Sequence, residues 1–174
     1  MKEPELLGEL LDVAADRLAA YGYLLTGSQA AGEDLVQDAI VKVLVRRRRL
    51  PNVRAAEAYV RATMRTIHID GIRRQRRWER AMPELADAER HPDSSSEIAE
   101  RANTLDALNS LSTQERTAIV LRVYDDLAVA EVADAMGLAV GTVKRYLSTA
   151  TAKLGTRLAE DEEPRVRVTE RGGR

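Results

Sequence analysis

Few folds are open to the segment from Asp125 to Leu154, DDLAVAEVADAMGLAVGTVKRYLSTATAKL. Val129, Val132, Ala133 and Met136 recur at helical spacing, and Val140, Val143, Leu147, Ala150 and Leu154 do so again after Gly137. The glycine supplies the positive φ of a tight turn between two short helices. On the second helix, Gly141, Arg145, Ser148, Thr149 and Ala152 point away from the apolar stripe, with Lys144 on the flank. A short helix, a glycine turn and a second helix with a polar outer face form the pattern of a helix-turn-helix, whose second helix enters the major groove. The bland alternative is a generic helical hairpin. Ala128 and Ala139 stand at the expected N-caps, where replacing Ser or Thr costs about 1 kcal/mol each.

Charge is distributed in bands along the 174 residues, although the formal total is only −1. Residues 1–41 carry a net −6, residues 42–80 a net +10 and residues 81–115 a net −6; 116–158 is +2 and 159–174 is −1. A basic band between acidic flanks is an electrostatic footprint for phosphate. With no cysteine, disulfides, thiolate metal sites and cysteine nucleophiles are excluded. The only imidazoles, His68 and His91, lie in different segments. No apolar run reaches the length of a membrane span, and the acidic MKEPELLGEL start is unlike a signal peptide, so a soluble, cytoplasmic protein is expected. Phenylalanine is absent, so cores must be built from Leu, Val, Ile and Ala, favouring helices packed closely on small residues.

Helical periodicity dominates the rest, and no alternating strand pattern stands out. Leu6, Leu7, Leu10, Leu11, Ala14, Ala15 and Leu18 mark a first amphipathic helix, broken at Thr26-Gly27-Ser28, where Ser28 can cap the next. The second helix, expected over Ala30 to Arg47, should bury Leu35, Val36, Ala39, Ile40, Val43 and Leu44. After a turn at Leu50-Pro51-Asn52 a third helix is expected from Ala55 to Arg80. Prolines, serines and a charge reversal from Met82 to Ser96 read as a flexible linker. A second helical block starts near Glu97, with a capping box at Ser112-Thr113-Gln114-Glu115 opening a helix through Tyr124. The expected organisation is all-α: a helical domain over 1–81, an acidic linker over 82–96, a helix-turn-helix domain over 97–158 and a disordered tail over 159–174.

Two further constellations carry chemistry. The face of the second helix opposite its core presents Asp34, Gln37, Asp38, Val41 and Val45, valines flanked by carboxylates as in a protein docking surface. The basic helix from Tyr59 to Arg80, with Tyr59 and Trp78 near its ends and Thr66, His68 and Asp70 between, suits phosphates and an unstacked base. Its bland reading is a solvated basic face. The run Arg46 to Arg49 reads as a cationic end favourable to the helix dipole. An enzyme reading fares poorly: Glu33 points away from Asp34 and Asp38, His68 and Asp70 diverge around their helix, and there is no Gly-rich phosphate loop. No metal, cofactor or small-molecule substrate is expected. An autonomous helix-turn-helix regulator with an N-terminal sensing or dimerisation module is the rival; a non-DNA adaptor would leave the +10 band unexplained.

Taken in order, these segments resemble a bacterial RNA polymerase sigma factor of the extracytoplasmic-function type, most like an actinobacterial subgroup. AGEDLVQDAIVKV at 31–43 resembles that family's polymerase-docking helix, YVRATMRTIHIDGIRRQRR at 59–77 its −10 segment, and residues 108–154 its −35 domain. The resemblance implies σ2-like and σ4-like domains that bind core polymerase at the β′ clamp and β flap and direct it to promoter DNA. It implies that Asp34, Gln37, Asp38, Val41 and Val45 face the polymerase. Tyr59, Arg61, Arg65, Thr66, Ile69, Asp70, Arg73, Arg74 and Arg77 would handle the −10 element, beside a strand-capturing loop at Leu50 to Ala56. Thr142, Lys144, Arg145, Ser148 and Thr149 would lie in the −35 groove. Thr66 stands where the family usually has Asn, Tyr146 and Thr149 replace positions often Arg, and Ser112 replaces a common proline. On this resemblance there is no room for the additional middle or N-terminal domains of housekeeping sigma factors, so self-inhibition by an N-terminal domain is not expected, and control is expected from a separate anti-sigma partner, transcription or proteolysis.

Overall fold

The computed structural model describes residues 3–46, 50–82 and 107–162, and it is helical with no strand among them. Three long helices come first: α1 (Glu3–Thr26), α2 (Gln29–Val45) and α3 (Val53–Ala81). After the helical residues 107–109 come α4 (Thr113–Ile119), a π-helical turn (Val120–Tyr124), α5 (Val129–Met136) and α6 (Val140–Glu162). The expected linker, the start of the second block and residues 163–174 of the tail lie outside the described residues.

The breaks are set by local chemistry. α1 ends at Gly27, whose φ of 76° a side chain would resist, and Ser28 Oγ accepts the Ala31 N–H at 3.4 Å to start α2. α2 stops at Val45, two residues short of expectation. Asn52 Oδ1 accepts the Ala55 N–H at 2.9 Å, so α3 begins at Val53. Residues 53–54, expected ahead of the helix, are therefore in its first turn, and the loop that the resemblance puts at Leu50 to Ala56 overlaps that turn.

α1, α2 and α3 form a three-helix unit around Leu10, Leu18, Tyr21, Leu25, Ala39, Val60 and Met64. Small residues set the α1–α2 spacing, as the missing phenylalanines require. A Cβ on Gly32 would sit 2.7 Å from the Tyr23 nitrogen, and one on Gly22 would sit 2.6 Å from the Gly32 oxygen. Leu44 departs from expectation. It is 42% exposed and extends the apolar strip of the outer face instead of joining the core. Leu11 on α1 is likewise exposed at the edge of its stripe.

In the second half, the capping box forms as the spacing predicts. Ser112 N–H donates to Glu115 Oε2 at 2.9 Å and Glu115 N–H to Ser112 Oγ at 3.3 Å. The helix expected to run on to Tyr124 instead widens after Ile119 into the π turn, closed by Asp125 N–H on Val120 O at 3.2 Å. Asp126 follows with φ 53°, re-aiming the chain into α5. Ala128 has no capping oxygen, yet the Glu131 carboxylate accepts its N–H at 2.7 Å, which offsets part of the missing cap. α5 ends in a Schellman turn at Gly137 (φ 63°), with Leu138 N–H on Ala133 O at 2.9 Å. Val132, Ala133, Met136, Val143 and Leu121 make the second core. Val140, expected in the buried stripe, is exposed at the first turn of α6.

Candidate polymerase- and DNA-binding surfaces

On α2 the residues facing the core, Leu35, Ala39 and Val43, leave Asp34, Gln37, Asp38, Val41 and Val45 together on the outer face, all exposed. Val41 is 59% and Val45 76% exposed; with Leu44 they form an apolar strip beside two carboxylates. Exposed aliphatic side chains grouped on one helix face, rimmed by acids, have the make-up of a protein-binding patch.

α3 carries the basic row, and the structure divides it. Thr66, Asp70, Arg74 and Arg77 are exposed. Gly71, Arg74, Gln75 and Trp78 line a shallow, open groove of about 350 Å³, with the Trp78 ring half-buried at its end. Tyr59 is partly buried against the first core. Ile69 differs from expectation: it is 6% exposed and packs in the second core with Leu121, Val132 and Val143, so it offers DNA no surface in this arrangement. Arg61, Arg65 and Arg73 are also engaged, each bonded to the C-terminal half.

Those bonds form a continuous seam. The Asp125 carboxylate accepts from Tyr21 Oη at 2.7 Å, Arg61 Nη2 at 3.3 Å and Arg65 Nη1 at 3.3 Å. Arg61 also lies over the stacked rings of Tyr21 and Tyr124, 4.9 and 4.7 Å from their centroids. Arg73 Nη2 donates to the Asp134 and Ala135 carbonyls at 3.0 and 2.7 Å, and Arg76 donates to Met136 O at 3.5 Å and to Gln114. These carbonyls form the C-terminus of α5, where a cation is favoured by the helix dipole. Deeper in the seam, Arg116 donates to Leu108 O, Thr26 O and Asn109 Oδ1. Sequence reasoning missed Tyr21, Gln114, Arg116, Thr117 and Asp125, because nothing in their spacing tells which distant acceptor or donor they meet.

His68, weighed in the sequence only as a catalytic or base-contacting group, is bonded through Nε2 to Thr117 Oγ1 at 2.9 Å. Burial, reinforced by the nearby Arg116 charge, pulls its pKa down to about 4. The folded protein therefore holds His68 neutral while the unfolded chain, with pKa about 6.5, takes up a proton first. Its contribution is complete above pH about 6.5 and is lost as pH falls toward 4, up to about 3 kcal/mol. Denaturant midpoints measured from pH 7 to 4.5 should fall in wild type, with a visibly flatter profile in His68→Gln; parallel profiles would refute the assignment.

On α6 the side chains of Lys144, Arg145 and Ser148 are exposed, while Thr142 and Thr149 are half-buried on the flanks. The Arg145 guanidinium lies 5.7 Å from the Tyr146 ring centroid. Tyr146 itself packs against the second core, so it fills the flank of the recognition helix instead of extending from it. Outward cations on the second helix of a helix-turn-helix can meet phosphates and base edges.

Comparison with known proteins identifies the family. Residues 12–78 match the Sigma-70 region 2 family and residues 101–154 the Sigma-70, region 4 family. An RNA polymerase sigma-E factor of Streptomyces avermitilis is 31% identical over 163 residues, covering 94% of this chain and 90% of the relative. The sigma-E factor of Streptomyces antibioticus is 34% identical over 122 residues, covering 70% and 67%. In fold, the chain matches the sigma factor RpoE of Bartonella quintana, solved with the anti-sigma factor NepR, at TM-score 0.53 and 23% identity, covering 89% of this chain and 98% of that one. The chain belongs to the extracytoplasmic-function RNA polymerase sigma factors, the subunits that direct polymerase to specific promoters.

Proposed function

We propose how the surfaces divide that work. The outer face of α2, with Asp34, Gln37, Asp38, Val41 and Val45, docks on the β′ clamp of core polymerase, and the C-terminal domain rests on the β flap. Arg61, Arg65, Thr66, Asp70, Arg73, Arg74 and Arg77 of α3, together with Tyr59, engage the −10 element. Ile69 is left to packing. Thr142, Lys144, Arg145, Ser148 and Thr149 read the −35 groove. The division follows residues 1–81 and 97–158, with the segment between them as tether. The observation that carries the reading is the exposed Val41-Leu44-Val45 strip beside Asp34 and Asp38. A regulator binding DNA by itself needs no such strip.

On this reading the protein is a cytoplasmic, non-catalytic initiation factor working without cofactor or metal. No described helix is long and apolar enough to cross a membrane. The Bartonella protein was solved with an anti-sigma factor; a comparable partner here belongs to the same reading. Arg145→Ala tests the −35 assignment. Loss of one cationic groove contact, worth about 1–3 kcal/mol, should lower −35-dependent transcription about tenfold and leave core binding unchanged. Equal losses in both assays would argue against it.

A further inference from the structure

In the polymerase-free chain, we propose, the C-terminal domain occupies the arginine row of α3 as an internal stand-in for nucleic-acid phosphate, with Asp125 as the latch. The inference rests on the reading of that row as a strand-binding surface. Arg61 and Arg65 meet one carboxylate, Asp125, while Arg73 and Arg76 meet three backbone carbonyls at the end of α5 and the Gln114 amide oxygen. A carboxylate and a cluster of outward carbonyls offer guanidinium groups the same oxygens that a phosphodiester backbone does. The same side chains cannot hold both at once.

The π turn makes this possible. Its extra residue per turn places Asp125 at the point where Arg61, Arg65 and Tyr21 converge, with its side chain only 7% exposed. The two halves also exchange core residues. Val120 packs into the N-terminal core and Ile69 into the C-terminal one, so closing the seam buries apolar surface on both sides.

The closure is incomplete in one respect. Arg61 Nε and Arg73 Nε are buried without a hydrogen-bond partner, and an unmet buried donor carries a free-energy cost that opening removes. Lys144 and Arg145 on the recognition helix stay exposed to solvent in this closed form. Closure therefore masks α3 selectively and leaves the recognition helix exposed.

The chain has no native cysteine, so Ala30→Cys on α2 and Ala152→Cys on α6, both exposed and outside the seam, accept a dye pair cleanly. Single-molecule energy transfer should show one compact population at low salt. Asp125→Ala, and Asp125→Asn, which keeps the shape, should shift it to a broad extended one. Both should bind a labelled mixed-sequence single strand of about 15 nucleotides about tenfold tighter than the parent, since the binding-competent form is no longer rare. Unchanged energy transfer, or opening without tighter strand binding, would overturn the proposal. Should the Asp125 variants lose their helical circular dichroism, Gln114→Ala and a salt titration of the parent from about 0.05 to 0.5 M decide instead, because ion pairs at a seam weaken with salt. A compact population indifferent to both contradicts the latch. Neither arm uses polymerase or promoter, so a failed promoter assignment stays distinguishable from a failed latch.

Discussion

Val41→Asp is expected to reduce affinity for core RNA polymerase at least about 30-fold, the loss typical when a central apolar contact is replaced by a buried charge. Val41 is 59% exposed and packs in neither core, so the fold has no stake in it. Its strip lies beside Asp34 and Asp38, so a third carboxylate also adds like-charge repulsion to the docking face. Thermal unfolding should therefore stay within about 0.5 kcal/mol of wild type, as for other surface substitutions. Binding measured by competition for core polymerase, with a melting curve on the same preparation, separates the two effects. Wild-type affinity in Val41→Asp would remove α2 as the docking helix.

Arg116→Ala should be among the most destabilising single changes in the protein, by about 3–5 kcal/mol, because one buried guanidinium makes four hydrogen bonds to neutral oxygens. Arg116 is 7% exposed and holds Leu108 O at 3.1 and 2.9 Å, Thr26 O at 2.9 Å and Asn109 Oδ1 at 3.3 Å. Truncation leaves these part-buried acceptors without their donor, at up to about 1–3 kcal/mol each. It also removes the group that packs against Gly27, where even a Cβ would collide with the guanidinium. At about 2–4 °C per kcal/mol for a chain of this size, the melting temperature should fall about 10 °C or more. Arg116→Lys should recover little, because a single ammonium cannot reproduce the forked contacts. A calorimetric scan showing a shift under about 2 °C would mean that the Arg116 contacts contribute little to the stability of the fold.

How far the sequence revealed this molecule depends on how local each feature is. The helix-turn-helix was legible because Gly137, its positive φ and both apolar stripes lie within thirty residues of one another. The Ser112–Glu115 box and the Ser28 cap were legible for the same reason, each being a contact across three residues. Leu44 misled because a helical wheel places it near the core stripe, while the real edge of that stripe depends on where α1 and α3 cross α2. The π turn at 120–124 left no periodic trace over five residues, and it decides where Asp125 points.

The site was legible in its residue types and illegible in its pairings. The arginines of α3 announced an anionic partner, and their spacing could not say that one such partner is the chain's own Asp125. Ile69 sits among them at a position that reads as outward on a bare helix, and it becomes core only because α5 and α6 pack over it. Counting domains addressed only self-inhibition by an additional N-terminal domain, and it could not register a contact between the two domains present. If Asp125 latches the seam as proposed, two domains suffice for self-restraint.

Above all, this chain gives core polymerase its choice of promoter. Run-off transcription on genomic fragments, with core polymerase alone and with core plus the purified chain, tests it directly. Discrete new start sites should appear that share one −35 and −10 pair and that disappear with Val41→Asp. No start sites beyond those of core alone, together with tight sequence-specific duplex binding by the free chain, would contradict it.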